Sequence, residues 1–349
     1  MTETNPLAAE ILETSAAGYA SAANIVLQSR QQRTPEGLDS AEWKTHLKQR
    51  ILELATAVRV NEPGLFARRV NWLRRAVRAR GAEESDLRAA LESIRTALDQ
   101  ELPDNLRGAI AAPMSLALAA FESEVEPEAA ALDTSTADGR LGLEYLAACL
   151  EARTEEAIAS IVDAIGDDLS PAEAYANVLL PAQREIGQLW HLGDVSISEE
   201  RLVTETTRTA MTLIVNQFAP PIEKGHTVLA ASVAGNAHDI GLRALSHLFR
   251  LAGWKTIFLG ANVPSNEIAH AAQAFEADLL LLSATLTTQI STLGDAISRI
   301  REVAGETRIL IGGLALEDTP ELWSQLGADA YAPDVRSAVE VGEKLLSDA

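Results

Sequence analysis

The stretch Gly235-Asn236-Ala237-His238-Asp239-Ile240-Gly241 indicates the fold of this chain. It follows the apolar run 227–233, which predicts a buried strand, and it precedes a helical pattern over 242–251. A strand, a turn that carries an imidazole and a helix in succession place His238 at the carboxyl end of a parallel strand. Ligands of open α/β sheets bind at this edge. His238 is therefore the candidate metal ligand of the chain.

The region around this stretch alternates between strands and helices. Five strands are predicted, over 227–233, 255–260, 278–283, 308–312 and 328–331. Helical patterns of about ten or more residues separate them, an alternation typical of a doubly wound parallel sheet. Five strands with this spacing favour the flavodoxin-like (Rossmann-type) strand order 2-1-3-4-5.

The sequence before the sheet is helical and is divided by an acidic stretch rich in Ala, Pro and Thr. Residues 1–123 are rich in good helix formers and predict a helical bundle for sensing or interaction. Its first helix is expected to run to Arg30, a polar break covers 31–40, and Asp39-Ser40 offers the N-cap of the second helix. We expect a linker over 124–139, a four-helix cap over 140–222 and the α/β domain over 223–349. The last helix of the cap is expected to open at Ser198-Glu199-Glu200.

The charge and composition of the chain exclude several classes of function. Its 349 residues carry a formal net charge of −21, which repels phosphates, so no direct nucleic-acid binding is expected. The single cysteine, Cys149, allows neither an internal disulfide nor a cysteine-based zinc site. No apolar run approaches the roughly 18 residues of a membrane span, and a secretory signal is not recognisable. We expect a cytoplasmic protein without membrane contact.

Four motifs fall in register on the predicted elements. They are 236–241, Ser283-Ala284-Thr285 with Leu286 after it, Gly312-Gly313 and 327–332. With the helical segment before them, they resemble the cobalamin-binding module of methionine synthase, corrinoid methyl-carrier proteins and light-sensing B12 regulators, over residues 140–349. The first motif of that family is Asp-x-His-x-x-Gly, and this chain has Asn236 in place of the aspartate.

This resemblance implies a cobalamin site at the carboxyl ends of the strands. His238 would be the lower axial ligand of cobalt, a role that neutral imidazole suits. The nucleotide tail of the cofactor would enter a narrow slot beside Ser283, where Gly312-Gly313 permits close approach to the main chain. Asn236 accepts from the imidazole without a charge, so His238 would be a softer ligand than one paired with a carboxylate. The other cofactor-binding positions implied are Asp239, Ile240, Gly241, Thr285, Thr287 and Tyr331.

The predicted cap has a signature of its own. Trp190 is followed, after nine residues, by Glu200-Arg201. Light-sensing B12 regulators are similar, with Trp, nine residues and Glu-His, and there the Trp covers the upper axial group with the Glu beside it. The resemblance implies that Trp190, Glu200 and Arg201 border the upper face of the cofactor, and a bulky adenosyl group suits such a ceiling. Arg201 stands at the histidine position, where a guanidinium, which is never deprotonated in practice, is unable to ligate cobalt.

The predicted N-terminal bundle carries six arginines within a short stretch. They are Arg68, Arg69, Arg74, Arg75, Arg78 and Arg80. On a helix Arg68, Arg75 and Arg78 share a face, with Trp72 close by. One interpretation is a solvated face that pairs with acidic residues. The other is a site for the propionates of a noncovalently held bilin such as biliverdin, since Arg binds carboxylates in a bidentate way. Photocobilins, which are photoreceptors that carry both B12 and a bilin, would combine a cobalamin site with such a bilin site.

Three functions follow from these patterns. The first is a cobalamin photoreceptor that senses light through loss of the adenosyl group of adenosylcobalamin. It would signal through its helical domains to a second copy or to a signalling partner, rather than as an enzyme. The second is a corrinoid methyl carrier of a methyltransferase system. The segment 283–288 is similar to a stretch in such carriers. The third is a scaffold that has lost cobalamin, which Ser283 and Gly312-Gly313 disfavour.

Overall fold

The computed structural model describes residues 4–30, 40–79, 81, 83–124, 129–166, 169–317, 319 and 321–347. These residues form two compact units, Met1–Pro127 and Glu128–Ala349. The predicted polar break, up to and including residue 39, lies outside the described residues, as does Arg80. No helix in the described part of the chain is long and apolar enough to cross a membrane.

The first unit is a helical bundle, as the sequence predicts. Its described helices are α1 (Thr4–Thr14), α2 (Ala16–Arg30), α3 (Ser40–Arg59), α4 (Pro63–Ala79), α5 (Glu84–Glu101) and α6 (Arg107–Ala119), with a 3₁₀ turn over Ala120–Glu122. Leu47, Ile51 and Leu54 recur at helical spacing on α3 and are completely buried. The sequence predicts a single first helix up to Arg30. This prediction is wrong, because the helix is interrupted at Ser15. The Thr14 hydroxyl donates to the carbonyl of Glu10, a back-bond that bends helices.

The second unit begins with a helical cap. Its helices are α7 (Ala137–Leu150), α8 (Thr154–Ala164), α9 (Pro171–Glu173), α10 (Leu180–Leu192) and α11 (Ile197–Phe218), and a π-helical turn over Ala174–Leu179 joins α9 to α10. Helix α7 therefore starts inside the range expected to be a linker. Helix α11 opens two residues earlier than expected, with its N-cap at Ser196, because Ser196 and Glu199 form a capping box.

The sheet follows the cap. Its parallel strands are β1 (Thr227–Val233), β2 (Lys255–Val263), β3 (Leu279–Ser283), β4 (Arg308–Gly312) and β5 (Ala330–Tyr331), in the order β2-β1-β3-β4-β5. The helices of this region are α12 (Ile240–Leu251), α13 (Ser265–Ala274), α14 (Ile290–Val303), α15 (Leu322–Leu326) and α16 (Val335–Ser347). The predicted α/β class and strand order are confirmed. Every residue of β1 is buried, as expected of a central strand covered on both faces.

The cap shares a hydrophobic core with helix α12, which packs on the sheet. Ala244 and Leu248 of α12 belong to the same buried cluster as Tyr145, Tyr175 and Met211 of the cap. The register of the sheet places Ser232 opposite Ser283, and Ser283 opposite Gly312. The loops after β1, β3 and β4 consequently meet at one edge of the sheet, on the unit that also carries the cap.

Candidate functional site

In the loop between β1 and α12, neighbouring residues hold His238 in place. The Asn236 Oδ1 atom accepts a hydrogen bond from the backbone N–H of His238 at 3.1 Å and lies 3.3 Å from its ring Nδ1. The Asn236 Nδ2 atom donates to the carbonyl of Ser283 at 3.1 Å, and the whole residue is buried. Asn236 therefore ties the imidazole to the end of β3.

The surroundings of His238 favour its neutral form. The protein atoms around the ring lower the pKa of His238 below its ordinary value because they displace water. Arg201 lowers the pKa further, whereas Glu200 and Asp239 oppose the shift. With Nδ1 directed at the Asn236 oxygen, a neutral ring carries its proton on Nδ1 and leaves the Nε2 lone pair available to a metal.

Asp239 has contacts that the sequence did not predict. Its Oδ1 atom lies 2.6 Å from Nη2 of Arg208 on α11, and its Oδ2 atom lies 3.0 Å from Nη2 of Arg243 on α12. Both carboxylate oxygens are thus engaged by the protein. Ile240 packs against the core of the cap, and a Cβ added to Gly241 would meet no atom within 4 Å. Of these three predicted positions, Gly241 is the one that borders open space.

The loops after β3 and β4 bring the remaining predicted positions of the sheet to the same edge. Ser283, Thr285 and Thr287 are half-buried. Gly313 has φ +104°, and a Cβ there would lie 2.2 Å from the carbonyl oxygen of Ala284. This glycine is therefore required by the close approach of the two loops themselves, whatever ligand they bind.

Two further predicted positions lie in or beside these loops. A Cβ added to Gly312 would lie 3.2 Å from the carbonyl oxygen of Ala332. Tyr331 lies in the short strand β5 and pairs with Ile311 of β4. Burial raises the pKa of Tyr331, and the carboxylates of Glu317 and Asp334 raise it further.

The cap contributes Trp190 at the end of α10 and Glu200 in the first turn of α11. Trp190 is 39% exposed. The carboxylate of Glu200 accepts a hydrogen bond from the Thr204 hydroxyl at 2.9 Å, which fixes its direction. Arg201 is largely exposed, and its Nε atom is 3.8 Å from Glu200. Glu200 and Arg201 act electrostatically on His238, so the start of α11 faces the loop after β1.

Sequence reasoning missed two residues that organise the site. Gln289 is buried, and its Oε1 atom accepts from the backbone N–H groups of Thr285 and Leu286 at 2.8 and 2.9 Å. Its Nε2 atom donates to the carbonyl of Gly235 at 3.0 Å. Asn262, at the end of β2, accepts from the backbone N–H of Gly235 at 2.7 Å. These side chains fix the loop after β1 from both sides.

The arginine cluster of the first unit is largely occupied by ion pairs. Arg74 is buried, and its Nε atom lies 2.6 Å from a carboxylate oxygen of Glu84, which also pairs with Arg78. The ring of Trp72 lies 3.6 Å from the guanidinium carbon of Arg69. Arg68 and Arg75, the other predicted bilin contacts, also have interactions within the protein. These contacts agree with the interpretation of the cluster as a charge-paired face.

No group of three or more His, Cys, Asp or Glu side chains in the described ranges could hold a metal ion by itself. The protein groups at this edge of the sheet are one neutral imidazole, hydroxyl groups and open backbone beside a cap. The architecture is a flavodoxin-like parallel sheet preceded by a helical cap, and in such sheets ligands bind at the carboxyl ends of the strands.

Comparison with known proteins identifies the family. Residues 226–340 match the family model described as the B12 binding domain, and residues 143–214 match a second model with the same description. The chain belongs to the B12-binding proteins, and its second unit contains both parts of the cobalamin-binding module. The resemblance predicted from the four motifs is confirmed.

Several known proteins are similar to this chain. A corrinoid protein of Desulfitobacterium hafniense is 27% identical over 191 residues, which cover 52% of this chain and 87% of that protein. Dimethylamine corrinoid protein 1 of Methanosarcina acetivorans is 25% identical over 214 residues, covering 59% and 97%. The HTH-type transcriptional repressor CarH of Myxococcus xanthus is 22% identical over 189 residues, covering 54% and 62%.

The fold has a counterpart among solved structures. The monomethylamine corrinoid protein of Methanosarcina barkeri superimposes with a TM-score of 0.53 at 17% sequence identity. The match covers 60% of this chain and 100% of that chain. At this identity the likeness concerns the fold.

Proposed function

We propose that this protein is a cobalamin-dependent light sensor that binds adenosylcobalamin between its cap and its sheet. The residues present fit a corrinoid. His238 offers the Nε2 atom of a neutral imidazole, and open space surrounds Gly241 beside it. When bound, the cofactor would supply a light-sensitive cobalt–carbon bond; the protein would supply the lower imidazole, a slot for the tail and a ceiling.

The observation that carries this proposal is the position of the first turn of α11. Glu200 and Arg201 influence the charge of His238 across the site, and Trp190 lies in the last turn of the preceding cap helix. A large aromatic side chain and a carboxylate held by Thr204 would cover the upper face of the cofactor. Such a ceiling suits a bulky adenosyl group. We propose that its loss moves the cap and that the helical first unit passes the signal to a second copy or a signalling protein.

A corrinoid methyl carrier is the second candidate. The names of the relatives favour it, since the proteins of D. hafniense and M. acetivorans are both corrinoid proteins. The exposure of Trp190 also fits a cap that a partner methyltransferase displaces. In a carrier, the upper face must be reachable by a methyl donor and an acceptor.

The two candidates are separated by absorption spectra and size-exclusion chromatography. The sensor is expected to bind adenosylcobalamin in the dark and, on illumination, to change its spectrum and its elution volume. The Trp190→Ala variant is expected to bind the cofactor but to lose the light-dependent change in elution, while Trp190→Phe retains part of it. Methylcobalamin binding with methyl transfer to a thiol acceptor, and equal elution in dark and light, would instead establish the carrier.

We propose biliverdin or another bilin as a second, noncovalent chromophore in the first unit. A propionate there would compete with the existing contacts of Arg68, Arg75 and Arg78. Titration with biliverdin is expected to give a red-absorbing band, which an Arg68→Ala, Arg75→Ala variant weakens without changing cobalamin binding. The absence of any band with the wild-type protein would remove the bilin from the proposal.

A further inference from the structure

Asp239 is the residue that follows His238, and it directly precedes helix α12. An aspartate at this position ordinarily caps the helix by accepting from its first backbone amides. Here the side chain makes no capping hydrogen bond and is only 3% exposed. Its carboxylate is therefore directed to another partner.

That partner is the cap. Arg243 belongs to α12, one turn further along, so its contact with Asp239 is local. Arg208 belongs to α11, and its 2.6 Å contact with Asp239 joins two elements 31 positions apart in sequence. The carboxylate thus links the loop after β1 to the longest helix of the cap.

Apart from Asp239, Arg208 and Arg243 have few contacts that could balance their positive charges. Their Nε atoms are buried and have no hydrogen-bond partner among the described residues. Arg243 lies over the ring of Phe258 at 4.5 Å, and Arg208 is 3.8 Å from Glu205, an exposed neighbour on its own helix. Removal of the Asp239 charge would bring two guanidinium groups together without their shared counter-ion, which is strongly unfavourable in a partly buried position.

His238 is held to the sheet on its other side. Asn236 accepts from its backbone N–H, and the Ser232 hydroxyl donates to its carbonyl oxygen at 3.3 Å. The residue is consequently placed between an anchor on β1 and an anchor on α11. A shift of α11 would therefore pull on Asp239, while the contacts of Asn236 and Ser232 would hold His238 to the sheet.

We propose that Asp239 is a positioning residue that couples the location of cap helix α11 to the orientation of the His238 imidazole. This inference rests on the proposed corrinoid function and goes beyond it. In this inference Asp239 transmits the location of α11 to His238, in place of the cofactor contact that the sequence predicts. Another ion pair, Arg184 of the cap with Glu317 after β4 at 3.0 Å, is exposed and does not touch the loop.

The experiment uses four variants of the full chain and two measurements. Asp239→Asn and Arg208→Gln break the link, Asp239→Glu keeps its charge, and Arg184→Gln is the matched control on the exposed pair. The first measurement is amide hydrogen exchange of residues 236–241 without cofactor. The second is the absorption spectrum after addition of aquocobalamin, which distinguishes imidazole-ligated from unligated cobalt.

Asp239→Asn and Arg208→Gln are each expected to speed the exchange of this loop by about tenfold, since local opening sets the exchange rate. The same two variants should lower the imidazole-ligated fraction. Asp239→Glu should recover most of both properties, and Arg184→Gln should match the wild type. The Asp239→Asn, Arg208→Gln double variant should exchange no faster than Asp239→Asn alone, because both lack the contact between Asp239 and Arg208 and the double variant no longer leaves Arg208 without its counter-ion.

Unchanged exchange in Asp239→Asn would overturn the proposal. Fast exchange in Asp239→Asn with normal exchange in Arg208→Gln would also overturn it, because the link would then be confined to α12. Faster exchange with an unchanged spectrum would mean that Asp239 holds the loop without positioning the imidazole. If the wild-type protein binds no corrinoid, the proposed function fails, and exchange in the cofactor-free protein still decides whether α11 and the loop are coupled.

Discussion

The side-chain amide of Asn236 contacts His238 and Ser283 with its two different ends. Its oxygen faces the His238 imidazole at 3.3 Å, and its nitrogen donates to the Ser283 carbonyl at 3.1 Å. A carboxylate at this position, as in the family pattern, has no N–H to donate. The asparagine therefore gives up charge next to the imidazole and gains a hydrogen bond to β3.

The Asn236→Asp variant tests this balance. The new carboxylate is expected to raise the pKa of His238, because a negative charge stabilises the imidazolium. It is also expected to reduce the free energy of unfolding at pH 7 by about 1–3 kcal/mol, since the new oxygen, buried at position 236, would face the Ser283 carbonyl without a hydrogen bond. NMR titration of His238 and urea unfolding measure the two effects. An unchanged His238 titration would contradict the assigned contact.

Gln289 should be essential to both loops at the site. The Gln289→Ala variant leaves the backbone N–H groups of the half-buried residues Thr285 and Leu286 without their acceptor. We expect a loss of about 1–3 kcal/mol in the free energy of unfolding, together with weaker cobalamin binding. Gln273→Ala is the matched control, because the exposed Gln273 makes one hydrogen bond of 3.3 Å to the carbonyl of Val303. Equal cobalamin affinity in the two variants would exclude an organising role for Gln289.

The sheet and the place of His238 were predictable from the sequence for a simple reason. Each strand is an apolar run bounded by polar turns, and the parallel connection puts every strand end at the same edge. The positions of Ser283 and of Gly312-Gly313 at this edge then follow, because Ser283 ends β3 and the two glycines end and follow β4. The site roles themselves stay predictions until a cofactor is bound.

The roles of Gln289 and Asp239 were not predictable in the same way. Gln289 meets Gly235 across 54 positions, and that contact exists because β1 and β3 are neighbours in the sheet. Asp239 was expected at the cofactor, yet the packing of α11 on α12 directs its carboxylate to Arg208. Contacts between side chains of distant elements depend on helix orientation, which hydrophobic periodicity does not determine.

The hydrogen bond between Tyr175 and His247 predicts how the second unit responds to acid. The Tyr175 hydroxyl donates to the carbonyl of Met211 at 2.5 Å, so the His247 Nδ1 atom, 2.9 Å away, donates to the tyrosine oxygen. Burial lowers the pKa of His247 to about 4, and the nearby Arg243 contributes to the shift. The ring is therefore neutral in the folded protein at pH 7.

The lowered pKa fixes the sign of the pH dependence. Below the ordinary pKa of histidine, about 6.5, the unfolded chain binds a proton that folded His247 does not bind. The free energy of unfolding should consequently fall as the pH drops from 6.5, and the fall from this group reaches about 3 kcal/mol at pH 4. Acid destabilisation should be smaller in His247→Gln, whose side chain takes up no proton in this pH range.

Urea unfolding of the wild type and of His247→Gln between pH 7 and pH 4 measures this effect. His270→Gln is the control, because His270 lies exposed on α13. This control should keep the wild-type slope of stability against pH, whereas His247→Gln should lose the part that His247 contributes. If both variants follow the wild type over the whole range, His247 is protonated in the folded protein and its burial does not oppose the charge.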